Sequence, residues 1–131
     1  MKAPSQTVAA VIRTISDDKS MDLFKIISQD NSDSDSLKAK TKLTRKQYYS
    51  RLSRMTKVGL VKKRNGRYTL TAFGKIVHDS QIIIEKAINN YWKLKAIDSL
   101  EMSDELPKEE QRKLMESLLD NEELREILIK E

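Results

Sequence analysis

In the first third of the chain, apolar residues recur at intervals of three and four, which is the spacing of one helix face. This pattern predicts a helix within residues 1–16, a second helix after the polar cap residues 16–20, and a short third helix over residues 37–40 that follows a loop at 33–36. The residues that set the pattern are Val8, Val11, Ile12, Ile15, Leu23, Phe24, Ile26 and Ile27.

A fourth helix is predicted over residues 45–58, because Thr44 is a favourable N-cap and Gly59 is a natural C-terminal stop. Tyr48, Leu52 and Met55 share one face, which we expect to be buried. The opposite face and its flanks carry cationic or small polar side chains and no acid. These residues are Arg45, Lys46, Gln47, Tyr49, Ser50, Arg51, Ser53, Arg54 and Lys57.

After the fourth helix, the hydrophobic period changes to the alternation that is typical of a strand. Residues 60–64 and 67–70 flank Asn65-Gly66, which is the strongest short signal of a β-hairpin. A two-residue turn places Arg64 opposite Arg67. Two neighbouring arginines repel one another on an ordinary surface, but they complement a phosphate backbone.

Thr71 is the predicted cap of a long helix from residue 72 to about 97, which is roughly 39 Å at 1.5 Å per residue. This length exceeds what a small domain can cover. Apolar positions along it alternate by three and four, as in a coiled-coil seam in which Asn90 sets the register. We therefore expect a homodimer; the predicted dimer contacts are Ile83, Ile84, Ala87, Asn90, Tyr91 and Leu94. The alternative is that the tail folds back over this face within one chain.

The last third of the chain is predicted to end in two amphipathic helices. Pro107 suits the first turn of one helix, and Asp120 with Glu123 indicates a capping box for the other. Their apolar faces consist of Leu114, Met115, Leu118 and Leu119 in the first helix and of Leu124, Ile127 and Leu128 in the second.

Charge is segregated along the chain, which the net value of +5 conceals. Residues 36–78 carry thirteen Lys and Arg residues and no acid, whereas residues 98–131 carry twelve acids and five bases. Protein surfaces usually mix the two signs. A stretch of 43 residues without an acid therefore predicts an electropositive face that contacts a polyanion. The alternative is a basic solvated face.

Few residues suit catalysis or metal binding. The sequence lacks cysteine, has His78 as its single histidine and contains no glycine-rich loop for a nucleotide phosphate. We expect no catalytic residue, metal or cofactor, and we expect His78 to be solvated. Residues 31–42 superficially resemble a calcium loop, but Ser36 and Lys42 replace the required glycine and glutamate. Trp92 lies outside the main apolar arc and is interpreted as an interface or tail-packing residue.

The order helix, short helix, turn, basic helix, hairpin and long helix resembles the winged helix-turn-helix transcription regulators, in particular small archaeal regulators of this class. Residues 48–61 carry most of the match. Leu52 and Met55, followed by Gly59 and Leu60, stand where this family closes its recognition helix and enters its wing. Residues 68–74 resemble the junction between the wing and the next helix, and the likeness covers about residues 18–95.

The resemblance implies double-stranded DNA as the partner, with the recognition helix in the major groove and the wing on the backbone or in the minor groove. Tyr48 departs from the family pattern, in which a small aliphatic residue is usual, and this leaves open whether Tyr48 or Tyr49 faces the core. By position in the family pattern, the residues expected to contact bases follow the Thr44 cap; they are Arg45, Lys46, Gln47 and Ser50. The residues expected to contact phosphates are Arg51, Arg54, Lys57, Lys63, Arg64 and Arg67. Tyr49 is expected either to stack on a sugar or base or to pack at the edge of the domain.

The expected fold is mostly α (α+β). It consists of a winged helix domain with a two-stranded wing over residues 1–71, a long dimerisation helix over 72–98 and a short acidic helical tail over 99–131. The leading hypothesis is a sequence-specific, homodimeric transcription regulator in the cytoplasm, associated with the nucleoid and without a membrane span. The alternatives are a non-specific nucleoid-architectural protein, a winged-helix module for protein–protein assembly, and RNA binding. No small-molecule effector is identified.

Overall fold

The computed structural model describes residues 6–29, 34–102 and 105–129. Within them the chain is mostly helical with one two-stranded antiparallel sheet, which confirms the coarse fold class. The elements are α1 (Val8–Thr14), α2 (Asp18–Gln29), α3 (Ser34–Thr41), α4 (Arg45–Lys57), β1 (Val61–Arg64), β2 (Arg67–Leu70), α5 (Ala72–Asn89), α6 (Tyr91–Glu101), α7 (Lys108–Leu118) and α8 (Glu122–Ile129). They form two compact units, residues 1–79 and 80–131. None of these helices combines the length and apolar character needed to cross a membrane.

The core of the first unit is assembled around the inner face of α4. Tyr48, Leu52 and Met55 are buried, as predicted, whereas Tyr49 is 43% exposed. Of the two neighbouring tyrosines, Tyr48 is therefore the one that faces the core. The other buried residues of this core come from α1, α2, α3, both strands and the connecting segments; they are Val11, Ile15, Leu23, Phe24, Ile27, Leu37, Leu43, Val58, Leu60, Val61 and Leu70.

The third helix begins earlier than predicted. Residues 34–36 were expected in a loop, but α3 starts at Ser34 and ends at Thr41. Serine and aspartate are favourable both as caps and in the first helical turn, so their presence does not define where a helix begins. Leu37 of this helix is buried, and Lys42 follows it with a left-handed φ of 56°. Residue 33, part of the same predicted loop, lies outside the described residues.

Both ends of α4 follow the prediction. The Thr44 hydroxyl accepts a hydrogen bond from the Gln47 N–H at 3.2 Å, and the Gln47 side chain accepts one from the Thr44 N–H at 3.2 Å, which together form a capping box. At the other end Gly59 has a φ of 86°, a left-handed conformation that favours glycine. The Leu60 N–H then donates to the Met55 carbonyl at 2.9 Å and directs the chain into β1.

Strands β1 and β2 form the predicted hairpin in the predicted register. Arg64 pairs with Arg67 across the turn. Asn65 and Gly66 have φ values of 52° and 76°, as a two-residue type I′ turn requires. The local turn chemistry therefore determines which side chains of the two strands lie opposite one another.

The junction between the hairpin and α5 is a close approach of backbone to backbone. The Thr71 hydroxyl accepts from the Gly74 N–H at 2.9 Å, as the predicted cap of the helix, and donates to the Gly59 carbonyl. The Thr71 N–H donates to the Leu60 carbonyl at 3.0 Å. A Cβ at position 74 would overlap this same Leu60 oxygen, so the approach requires glycine.

The predicted single long helix is wrong, because it is interrupted at Asn90. Helix α5 ends at Asn89 and α6 begins at Tyr91, while Asn90 has φ −111° and ψ 19°, far from helical values. The Asn90 side chain donates to the Lys86 carbonyl at 2.8 Å. Such bonding of a short polar side chain to nearby backbone competes with regular helix geometry.

In the second unit the tail packs on the α5–α6 segment of the same chain, which was the alternative to a free coiled-coil seam. The buried members of this cluster are Ile97, Met115, Leu119 and Leu124, and Ile83, Ala87, Leu94, Leu118 and Ile129 pack against them. Pro107 is the N-cap of α7 and not part of its first turn. Helix α8 is capped by Asn121 instead of Asp120, since the Asn121 side chain accepts from the Leu124 N–H at 3.0 Å.

We expect Gly74→Ala to destabilise the protein, although alanine is the better helix former. At an open helix position the change would raise the free energy of unfolding by up to about 1 kcal/mol. Because the added methyl overlaps the Leu60 carbonyl, we expect a loss of about 1–3 kcal/mol instead. Urea unfolding followed by circular dichroism measures the change.

Gly66→Ala is the matched control for this measurement. Its added Cβ meets no atom within 4 Å, so only the φ of 76° opposes the substitution, at a cost of about 1 kcal/mol. A Gly74→Ala protein that is more stable than the wild type would contradict the close approach of α5 to Leu60.

Candidate nucleic-acid interface

The outer face of α4 is exposed and carries no negative charge. Lys46, Ser50, Ser53, Arg54 and Lys57 are all exposed along it. With 13 residues the helix is about 20 Å long. The face therefore offers cationic and small hydrogen-bonding side chains along a narrow strip, a combination that suits contact with an extended anion.

The N-terminal turn of α4 holds two of the predicted contact residues in place. Thr44 and Gln47 bond one another in the capping box, so both have a structural role besides any contact with a partner. The Arg45 guanidinium lies 5.9 Å from the centre of the Tyr49 ring. The Tyr49 ring in turn packs edge-on against Tyr48 with centroids 5.1 Å apart, which orients the exposed ring on the helix surface.

Arg51 is bound within the protein to a greater extent than the prediction of a phosphate contact implies. Its guanidinium lies 3.2 Å from Asp17 Oδ2 and donates to the Gln47 carbonyl at 3.4 Å. The Arg51 side chain is only 16% exposed. Because Asp17 precedes α2, this ion pair ties the start of α2 to the flank of α4.

The Asp17 carboxylate stays ionised well into the acid range. Desolvation raises the pKa of this carboxyl, but the hydrogen bond from the Ser20 N–H and the hydrogen bond and charge of Arg51 outweigh it and lower the pKa from 3.8 to about 2. The Ser20 N–H donates to Oδ2 at 3.1 Å, so the same carboxylate also caps the start of α2. The acid that neutralises Arg51 thus comes from outside the acid-free stretch.

The hairpin adds exposed cations directly after α4. Lys62, Lys63, Arg64 and Arg67 are all exposed, and the register sets the two arginines opposite one another beside the turn. Like charges in such a cross-strand pair destabilise the hairpin. A bound anion would relieve this repulsion.

A cleft of about 500 Å³ separates α4 from the hairpin. Its lining consists of Tyr49, Leu52, Ser53, Thr56, Lys57 and Tyr68. The Lys63 ammonium group lies 5.6 Å from the centre of the Tyr68 ring. The sequence analysis did not include Tyr68 among the site residues. Strand alternation could have identified it, because Tyr68 shares a face with the buried Leu70.

His78 is half-buried, so the prediction that it is solvated is wrong. Its Nε2 lies 3.1 Å from Ser28 Oγ, and its ring contacts Phe24 edge-on with centroids 5.8 Å apart. The Ser28 hydroxyl donates to the Lys25 carbonyl, so its oxygen accepts a hydrogen bond from the His78 Nε2–H. A helical projection marks His78 as polar-facing, but it does not show that α2 residues contact that side.

The six predicted dimer residues fall into three groups. Ile83, Ala87 and Leu94 pack against the buried cluster of the second unit, so the chain's own tail accounts for their burial. Asn90 interrupts the helix and bonds to the backbone. Ile84 and Tyr91, the remaining two, are exposed.

Ile84 and Tyr91 belong to an exposed stripe that also contains Ile88 and Trp92. Ile84 and Ile88 of α5 are four positions apart, and Tyr91 and Trp92 are adjacent at the start of α6; we call these four residues the exposed stripe. Their exposed fractions range from 51% for Tyr91 to 79% for Trp92. Trp92 therefore does not pack on the tail, and its ring contacts Tyr91 with centroids 5.4 Å apart.

Comparison of the chain with protein-family models, curated proteins and solved structures finds no match. The interpretation of the site therefore depends on its own residues. In the described parts of the chain, no three histidine, aspartate or glutamate side chains come together in a way that could hold a metal ion.

Asp17→Asn should lower the free energy of unfolding near neutral pH by up to about 1 kcal/mol. The variant loses an ion pair in which Asp17 is 45% exposed, but it keeps an acceptor for the Ser20 N–H. Because the pKa of Asp17 is lowered to about 2 in the folded state, its contribution to the free energy of unfolding is complete above pH 3.8 and disappears as the pH falls towards 2.

Urea unfolding of both proteins at about pH 6 and about pH 2 tests this expectation. The difference between them should shrink at the lower pH. Asp18→Asn, at the exposed neighbouring position, is the control and should change stability little. A difference for Asp17→Asn that is equal at both pH values would contradict the ion pair.

Proposed function

We propose that this chain binds double-stranded DNA as a winged helix-turn-helix transcription regulator. In this proposal α4 is the recognition helix in the major groove, and the β1–β2 hairpin is the wing on the backbone or in the minor groove. The element order of the first unit supports it, with α3 and α4 joined by a turn at Lys42 and the hairpin following α4.

The observation that carries the proposal is the pairing of two cationic surfaces in one compact unit. The outer face of α4 and the hairpin both lie in the stretch 36–78, which contains no acid. Only residues 58–60 separate α4 from the hairpin, and the hydrogen bond from the Leu60 N–H to the Met55 carbonyl directs the chain from the end of α4 into β1. A duplex groove flanked by phosphates matches such a surface in both shape and charge.

The contacts divide by their position along this surface. Residues near the N-terminus of a recognition helix reach base edges, whereas those further along and on the wing contact phosphates. We assign the base contacts to Arg45, Lys46, Gln47 and Ser50 and the phosphate contacts to Arg54, Lys57, Lys63, Arg64 and Arg67. Arg51 is reassigned to positioning α4, because it is paired with Asp17.

We further propose that the regulator is a homodimer that pairs through the exposed stripe. Ile84, Ile88, Tyr91 and Trp92 are large apolar side chains exposed to water. Burial of their apolar surface is favourable by about 25 cal/mol for each Å² removed from water. A two-fold dimer of this class reads two half-sites about one helical turn, or roughly 10 base pairs, apart.

Selection of bound sequences from a random duplex pool tests the proposed function directly. We expect an enriched sequence that binds at least about a thousandfold more tightly than random duplex at the same salt concentration. Equal affinity for both would support non-specific architectural binding. Failure to bind any duplex at low salt would contradict the proposal and favour a protein–protein assembly module.

Arg64→Ala and Lys46→Ala should weaken DNA binding in different ways. Arg64→Ala removes a phosphate contact, so we expect weaker binding to every duplex and a salt slope reduced by about one. Lys46→Ala removes a base contact, so we expect a changed sequence preference with a loss of about 1–3 kcal/mol at one position of the site. Fluorescence anisotropy at several salt concentrations measures both effects.

Arg112→Ala, an exposed arginine of the second unit, is the control for the loss of one positive charge. It should leave affinity and salt slope unchanged. If Arg64→Ala behaved like Arg112→Ala, the assignment of the hairpin as a wing would be wrong.

Ile88→Glu should shift the protein towards the monomer, because a carboxylate in the middle of the exposed stripe would be desolvated on pairing. Ile88 is 67% exposed, so the substitution should leave the fold of the single chain intact. Ile127→Glu, at an isoleucine of α8 that is 52% exposed and outside the stripe, is the matched control. Sedimentation velocity measures the mass; dimers that persist in Ile88→Glu would exclude pairing through the stripe.

A further inference from the structure

A groove of about 610 Å³ lies on the face of the hairpin that does not line the cleft to α4. Side chains alternate along a strand, so Lys62 and Arg64 line this groove while Tyr68 lines the cleft on the other face. The C-terminal end of α2 and the first turns of α5 complete the lining, and we call it the hairpin groove. Ile27 and Leu70, the latter at the end of β2, are the buried apolar residues of its lining.

The hairpin groove carries an excess of positive charge. Lys62, Arg64 and Lys75 are exposed cations in its lining, and Asp79 is the carboxylate among the lining residues. Within the described parts of the chain, none of the three cations forms a salt bridge with Asp79 or with another acid. The three lysine and arginine charges and the one aspartate charge leave a local excess of two positive charges.

Uncharged polar groups of the groove are already oriented. The His78 Nε2–H donates to Ser28 Oγ, and the Ser28 hydroxyl donates to the Lys25 carbonyl. This chain of bonds holds the His78 ring in position beside the groove. Thr69, opposite Lys62 in the strand register, adds a hydroxyl group to the lining.

We propose that the hairpin groove binds a small organic molecule that carries a phosphate group. The excess of two positive charges matches a phosphate dianion, and lysine and arginine are the side chains that bind phosphate in proteins. A volume of about 610 Å³ lies in the range of small-molecule sites and is far larger than a phosphate requires. The remaining space, next to Ile27 and Leu70, accommodates an apolar organic part.

Occupation of the groove has a consequence for regulation that rests on the proposed function. Arg64 lines the groove and also lies beside the turn of the hairpin, where we assign it a phosphate contact with DNA. The Arg64 guanidinium cannot bind the ligand phosphate and a DNA phosphate equally well at the same time. The small phosphate and the duplex therefore compete, and the ligand lowers the affinity for DNA.

The binding itself is tested without DNA, by titration of the full ¹⁵N-labelled chain with inorganic phosphate and with phenyl phosphate at constant ionic strength. We expect saturable shifts of the amides of Ser28, Thr69, Lys75 and His78, with tighter binding of phenyl phosphate because its ring contacts the apolar part. Lys75→Gln should weaken phenyl phosphate binding about tenfold through loss of a charge-assisted contact. Lys93→Gln, an exposed lysine of α6, is the matched control and should not change it.

Three results would overturn the proposal: no saturable shift with either probe, shifts spread evenly over all exposed lysines, or phenyl phosphate binding no more tightly than inorganic phosphate. A second arm measures duplex affinity with and without phenyl phosphate in the wild type and in Lys75→Gln. We expect the ligand to weaken duplex binding only in the wild type. A chain that binds phenyl phosphate in the groove but no duplex would refute the proposed function and leave the ligand site intact.

Discussion

The Leu60 backbone is the point on which the arrangement of the first unit depends. Its N–H bonds to the end of α4, its carbonyl accepts from Thr71 at the start of α5, and its side chain is fully buried in the core. Gly74 allows α5 to pass close to that carbonyl. The end of a helix, the base of the hairpin and the start of the next helix are therefore fixed relative to one residue. The cationic surface depends on this junction, because it combines side chains from α4 and from the hairpin.

That surface is arranged at some cost to the stability of the isolated chain. Arg64 and Arg67 face each other across the hairpin, and like charges in that position oppose pairing of the strands. Arg51 is treated differently, since Asp17 neutralises it from a segment outside the acid-free stretch. The structure thus pairs the arginine that lies against its own core, whereas among the described residues no acid forms a salt bridge with the arginines at the hairpin turn.

In the second unit, the apolar residues of α5 and α6 form one set that the tail covers and one set that stays exposed. Ile83, Ala87 and Leu94 are covered by the tail, which buries them with Met115, Leu119 and Leu124. Ile84, Ile88, Tyr91 and Trp92 stay exposed. The break at Asn90 interrupts both sets along the chain and ends the regular geometry that a long coiled coil needs. One set of apolar residues is thus covered within the chain, and a smaller set stays exposed in it.

Features that depend on residues within about four positions were predictable from the sequence. The Thr44 cap, the end of α4 at Gly59, the hairpin register at Asn65-Gly66 and the Thr71 cap all belong to this group, because a side chain and the backbone of the same turn decide them. The inner face of α4 and the cationic character of its outer face follow from helical spacing alone.

Contacts between distant segments were decided only by the tertiary structure. Asp17 binds Arg51 across 34 positions and Ser28 binds His78 across 50, so neither pair leaves a local signal. Tyr68 and the hairpin groove acquire their places when α4, α2 and α5 pack around the two strands. The sequence allowed the apolar face of the α5–α6 segment to be covered either by a second copy of the chain or by the chain's own tail. Both arrangements bury the same apolar residues, so periodicity could not distinguish them. Periodicity indicates which side chains are buried, but only the tertiary structure shows which residues they are buried against.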